Sequence, residues 1–253
     1  MRLRLTECLS YEAEQEGFPI FRAWPRLKDM RAFCPNSLYT FVAAIGLVAG
    51  GIAADTANFA NSKPGELPAG WFAKIAGPGE PKWTVQKDDI APSRPNVLKQ
   101  SGWTPKPTFP LCVKTNSSLK DDFVEVKFKP VSGTNDQAAG LVWRYRDAEN
   151  NYVARANALE DNVVLYKVEK GKRMALDIVD RTGGYGVKEK VPAQQWSTLR
   201  VNFAGYRFAA LLNGKELFTV EDSTFLEAGL LGLWTKADSV TLFDDFRYGV
   251  APK

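Results

Sequence analysis

The stretch Gly140–Gly171 reads GLVWRYRDAENNYVARANALEDNVVLYKVEKG, and its rhythm decides the fold. Apolar and polar residues alternate in three runs, GLVWRYR, NYVARANAL and NVVLYKVE, separated by short polar turns. A period of two marks strands with one buried face. In the first run Leu141, Trp143 and Tyr145 share one face, and Val142, Arg144 and Arg146 the other. In the second run Tyr152, Ala154 and Ala156 oppose Val153, Arg155 and Asn157. The aromatic-and-alanine faces suit tight core packing, which puts Arg144, Arg155 and Asn157 together on the other side. That side is either a binding groove, where arginine offers a planar bidentate fork, or a solvated wall, where arginines pair with neighbouring acids.

The same pattern extends outward. PLCVK, DFVEVKFKPV and AAGLVWRYR precede, and MALDIVD, STLRVNF, YRFAALLN, KELFTVED, AGLLGLWTK and SVTLFDDFRYG follow, with turn signals between them. Short strands at this spacing predict an antiparallel sandwich or barrel. Asn213-Gly214 is a strong hairpin signal, because both residues tolerate positive φ, and Gly171-Lys172 marks a second turn. Only Ser223–Glu227 suggests a short helical turn. Residues 55–110 are rich in Pro and Gly, which forbids long helices and central strands. Because Trp71, Phe72, Trp83 and Trp103 lie within them, this segment is expected to pack on the 111–250 core as part of one domain. Strands are expected around Trp83 and at Asn96–Lys99.

Composition narrows the function classes. The chain has 33 basic and 29 acidic residues spread along it, with no dense basic block, which argues against a nucleic-acid partner. It contains no histidine, and so lacks the usual general base and the commonest metal ligand. Phe41–Ala54, FVAAIGLVAGGIAA, falls short of the roughly 20 apolar residues of a membrane span. It matches a secretory h-region followed by small residues. Residues 1–54 are therefore expected to be a leader with a true start at Met30. The mature protein would be periplasmic or secreted, with no stable membrane span after cleavage. Cys8 and Cys34 fall in or before this leader, leaving Cys112 as a lone thiol with no base to activate it.

GLVWRYRDAENNYVARANALEDNVVLYKVEKGKR, WSTLRVNF, LLNGKELFTVEDSTF and AGLLGLWTKADSVTLFDDFRYG occur in that order. Together they resemble the concanavalin A-like, laminin-G-type jelly rolls of the 3-keto-disaccharide hydrolase family, over about Asp121 to Gly249. The resemblance implies an all-β jelly-roll sandwich of two antiparallel sheets, export, and a carbohydrate or glycoside ligand. It also implies 3-keto-glycoside cleavage, in which a base removes the C2 proton acidified by the ketone and an electrophile holds the enolate oxygen. A non-catalytic glycan-binding or structural envelope module is the alternative. Family 16 glycoside hydrolases share the jelly roll and carry ExDxxE on one strand, a motif absent from this sequence.

Within that frame Glu160, at the strand end beside Arg155, is the candidate base, and Asp244 in TLFDDFRYG its candidate partner. Arg144, Arg155, Asn157, Trp234 and Lys236 are the candidate substrate-binding residues. The plain readings are a turn for Glu160, an ion pair for Asp244 and a core position for Trp234. No cofactor or metal site is expected; a calcium contact at the paired aspartates is the one alternative the acids leave open.

Overall fold

The computed structural model describes residues 54–249. Residues 1–53 of the expected leader, with Met30, Cys8 and Cys34, lie outside the described residues. The alternating runs form sixteen strands: β1 (Asp55–Ala57), β2 (Trp71–Ala76), β3 (Trp83–Lys87), β4 (Asn96–Gln100), β5 (Phe109–Leu119), β6 (Asp122–Ser132), β7 (Ala138–Asp147), β8 (Asn150–Asn157), β9 (Asn162–Glu169), β10 (Lys172–Ala175), β11 (Val187–Lys188), β12 (Ser197–Ala204), β13 (Arg207–Leu212), β14 (Lys215–Glu221), β15 (Gly229–Trp234) and β16 (Val240–Gly249). There is no helix among the described residues, including 223–227, where a helical turn was expected.

The strands make two antiparallel sheets. Sheet I runs β14-β13-β12-β6-β16-β4-β3, with β1 paired to β16. Sheet II runs β10-β9-β8-β7-β15-β5-β2, with β11 paired to β9. Neighbours such as β6 and β16, or β7 and β15, are far apart in sequence, the long-range pairing of a jelly roll. The Pro-rich 55–110 segment supplies edge strands to both sheets, β2 against β5 and β3 against β4. β4 itself is an interior strand between β3 and β16, contrary to the expectation that prolines exclude central strands, because Pro95 stops just short of it. β2 was not expected; its WFAKIA run lies between Pro68 and Pro78 and lacks a clear polar-apolar alternation. Asn213 (φ 51°) and Gly214 (φ 80°) turn β13 into β14 as their dipeptide required. The β9–β10 turn pivots on Lys170-Gly171, one residue earlier than expected.

The core lies between the sheets. Val124, Val126, Leu199 and Val201 of sheet I meet Leu141, Trp143, Tyr152, Ala154 and Leu165 of sheet II. Trp143 stacks on Tyr152 at 5.3 Å and meets Phe208 edge-on at 5.4 Å. Burying each such ring contributes about 2–3 kcal/mol. A second apolar cluster, with Val142, Val153, Val164, Tyr166 and Trp234, uses the alternate positions and covers the outer face of sheet II.

Two departures from simple alternation matter. The register of β7 shifts between Trp143 and Asp147, with Arg144 at φ 47°. This bulge reverses the facing of the next residues. Tyr145 joins the outer cluster, and Arg144 turns inward over the rings of Phe203 and Phe208. β16 uses the same device, with Asp245 at φ 47°, so Phe243 and Phe246 both reach the core. The expected strand MALDIVD is also corrected. Only β10 is regular, after which Leu176 bonds to Leu165 of sheet II and Ile178 bridges to Val220 of sheet I. The chain crosses from one sheet edge to the other there, and neither sheet can pair with all of it.

Candidate functional site on the outer face of sheet II

β8 keeps its alternation, so Arg155 and Asn157 both point to the outer face. The turn after it brings Glu160 back over them, with Leu159 N–H donating to Asn157 Oδ1 at 2.9 Å. Arg155 Nη2 donates to Glu160 Oε2 and to Asn162 Oδ1, each at 2.7 Å. Asn162 Nδ2 also reaches Glu160 Oε2, at 2.9 Å. Asn157 Nδ2 donates to Asp136 Oδ1 at 2.6 Å and to Glu160 Oε1 at 3.1 Å, so two carboxylates share one amide. Lys236 pairs with Asp136 from the other side. Asp238 fixes that loop by accepting the N–H groups of Thr134, Asn135 and Asp136.

The electrostatics are tightly matched here. Burial opposes the Arg155 cation, but Tyr166, Glu160 and Tyr185 around it more than offset this and raise its pKa. Burial likewise opposes ionised Glu160, yet the bonds and charge of Arg155, with Asn162 and Lys236, hold its pKa below the usual carboxylate range. Arg155 is fully buried, and its Nε has no protein partner. The rings of Tyr166 and Tyr185 lie 5.7 and 5.4 Å from its guanidinium carbon, and their hydroxyls bond to each other. Tyr185 is 48% exposed and forms the open rim.

The face continues toward β15 and β5. Trp234 is buried and stacks on Phe109 at 5.5 Å. A cavity of about 190 Å³ opens beside them, lined also by Leu111, Glu149, Asn151 and Val168.

The structure thus brings Arg155, Asn157, Glu160 and Lys236 into one network and sets Trp234 on the same face. It does not bring Arg144 there. The Arg144 guanidinium donates to the carbonyls of Lys120, Gly205 and Phe225 and pairs with Asp121 at 3.1 Å, closing one end of the sandwich. Nor does Asp244 converge with Glu160. It lies in sheet I, fully buried, accepting N–H bonds from Ser93 and Asp245. Burial raises its pKa against those bonds. Its neighbour Asp245 pairs with Lys127 at 2.7 Å. Among the described residues no group of three or more acidic, cysteine or histidine side chains is placed to hold a metal. Cys112 is buried in the core, and burial pushes its thiol pKa up.

Asp136, Asn162, Tyr166 and Tyr185 were missed by the sequence reading, as was Arg173, whose guanidinium carbon lies 4.4 Å from the Tyr166 ring. Tyr166 and Asn162 had a signal, since NVVLYKVE alternates like β8 and pairs with it directly. Asp136 and Tyr185 had none, being brought in by loops. On the outer face of sheet I an open groove of about 670 Å³ includes Arg200, Asn202, Arg207 and Glu216. Its arginines are already paired, Arg200 with Glu125 at 3.5 Å and Arg207 with Glu221 at 2.8 Å, as on an ordinary solvated face.

No family model matches the chain, and no curated protein matches it. Solved structures do. The carbohydrate binding module CBM66 from Bacillus subtilis superposes with a TM-score of 0.55 at 19% identity, covering 71% of this chain and 96% of that one. The cellulose induced protein Cip1 gives 0.50 at 14% identity, covering 69% and 89%. The fold these likenesses and the two sheets define is an all-β jelly-roll sandwich of two antiparallel sheets.

Proposed function

We propose that this chain is an exported carbohydrate-binding protein whose ligand docks on the outer face of sheet II. The observation that carries this reading is the Arg155 network: amides and charges at the edge of an aromatic wall, with the half-exposed Tyr185 at its rim. Sugars are recognised by such pairings of planar hydrogen-bonding groups with rings that stack on C–H faces. The likeness to a carbohydrate binding module supports the same reading. Cleavage by a retaining pair would need two carboxyl groups about 5 Å apart, one of them protonated. Glu160 and Asp244 sit in separate networks on different sheets, and Glu160 is held ionised by Arg155.

One observation favours a second reading, 3-keto-glycoside cleavage. Glu160 and Asp136 share the Asn157 amide beside Lys236. Glu160 would take the C2 proton, and Lys236 or Arg155 would hold the C3 enolate oxygen. Collapse of the enolate to the enone would break the C1–O bond, the departing alcohol taking its proton back from Glu160. Incubation with 3-keto-glucosides and a panel of glycans separates the two. The binding reading expects glycan-induced shifts in melting temperature without sugar release. Release by the native chain that Glu160→Gln abolishes would overturn it in favour of cleavage.

A further inference from the structure

Arg173 lies on this face with no acid paired to it among the described residues. It leaves the sheet II edge on β10 and its guanidinium carbon lies 4.4 Å from the Tyr166 ring, 4.5 Å from Phe109 and 5.7 Å from Trp234. Arg155 has Glu160 and Lys236 has Asp136, but no carboxylate among the described residues is paired with Arg173. Its Nη1 is buried and has no hydrogen-bond partner. Ring faces attract a cation, yet they leave an N–H without an acceptor. A planar donor fork against aromatic walls is the arrangement that takes a carboxylate from outside.

The cavity beside it points to what carries that carboxylate. Phe109 and Trp234, two of the rings around Arg173, are also its walls. Asn151 lines it farther along sheet II. That residue is 1% exposed, spends its amide N–H on Asp147 O at 2.9 Å, and keeps an Oδ1 with no donor. Glu149 adds an exposed acceptor at the rim, near Gly171. Arg173, packed on those two wall rings, offers donors to an anion beside the cavity, and Asn151 and Glu149 within it offer acceptors to hydroxyls. At about 190 Å³ it displaces the equivalent of about six waters.

We propose that the cavity at Phe109, Trp234 and Asn151 takes an acidic sugar, a uronate whose carboxylate docks on Arg173 and whose hydroxyls donate to Asn151 Oδ1. This rests on the reading of the sheet II face as a carbohydrate site and names its ligand class.

Methyl β-glucuronide and methyl β-glucoside differ only at C6, carboxylate against hydroxymethyl, and are the matched probes. Calorimetric titration of the native chain is expected to give about tenfold or greater preference for the glucuronide. Arg173→Gln is expected to lower the glucuronide affinity about tenfold and so remove that preference. Arg173→Lys, which keeps the charge without the fork, lowers the preference several-fold and serves if the glutamine variant fails to fold. Acetate alone is expected to bind at least tenfold more weakly than the glucuronide. Equal affinities in the native chain, or a preference that survives both substitutions, overturn the inference while neutral binding leaves the carbohydrate reading standing. Acetate binding as tight as the glucuronide overturns the assignment to a sugar. Binding of neither glycoside overturns both readings.

Discussion

Arg155 and Glu160 are joined by a two-pronged ion pair, 2.7 Å at Nη2–Oε2 and 3.3 Å at Nη1–Oε1, with the arginine fully buried and the glutamate reaching in from a turn. Removing Glu160 leaves a cation in the sheet face without its acid. Because the glutamate side chain is 37% exposed, the cost falls below that of a fully buried pair. Glu160→Ala is expected to lose about 2 kcal/mol in urea unfolding. A loss below about 0.5 kcal/mol, ordinary for a surface turn, would contradict it.

The same pair sets a pH dependence. Glu160 has a depressed folded pKa, so its contribution is complete above the unfolded value of about 4.3 and is lost as pH falls through the folded one. The stability gap between the native chain and Glu160→Gln is therefore full at neutral pH and closes below about pH 4. A gap that widens on acidification has the wrong sign.

Arg144 serves the fold. Its guanidinium satisfies three backbone carbonyls and Asp121 at one end of the sandwich. Arg144→Met is expected to cost about 3 kcal/mol. The folded fraction should bind glycan as the native chain does. Loss of binding at full stability would return Arg144 to the ligand site.

Gly140 sits in register between Arg155 on β8 and Trp234 on β15. A Cβ there would meet Ala154 O at 2.6 Å and the Trp234 ring at 3.0 Å. Gly140→Ala must shift the β8 backbone at Ala154 and press on the tryptophan stacked on Phe109, at a cost of about 1–3 kcal/mol. Near-ultraviolet circular dichroism should report the displaced indole; an unaltered spectrum and midpoint would show that the wall is softer than described.

Most of the sandwich was legible in the sequence because side chains alternate in direction along a strand, and successive residues of β8 and β9 join the inner and outer clusters in turn. That is why Arg155 and Asn157 were placed correctly. Arg144 was misplaced because one residue at positive φ reverses facing, and nothing in GLVWRYR marks where the bulge falls. β2 and the crossing at 176–179 depend on which sheet edge is free, a property of the assembled sandwich. Asp136 and Tyr185 reach the site on loops of unrestricted sequence. Side-chain chemistry drew attention to Glu160 and Asp244, but chemistry alone does not say which sheet a strand joins.

The central claim is that ligand meets the outer face of sheet II. Chemical-shift mapping of the backbone amides during titration with methyl β-glucoside tests it most directly. The expected result is a cluster of perturbed amides on the outer face of sheet II, among Asn151, Arg155, Asn157, Tyr185 and Trp234, with Arg200, Asn202 and Arg207 unmoved. Perturbation centred on the Arg200–Arg207 groove of sheet I, with the Arg155 network silent, would contradict it.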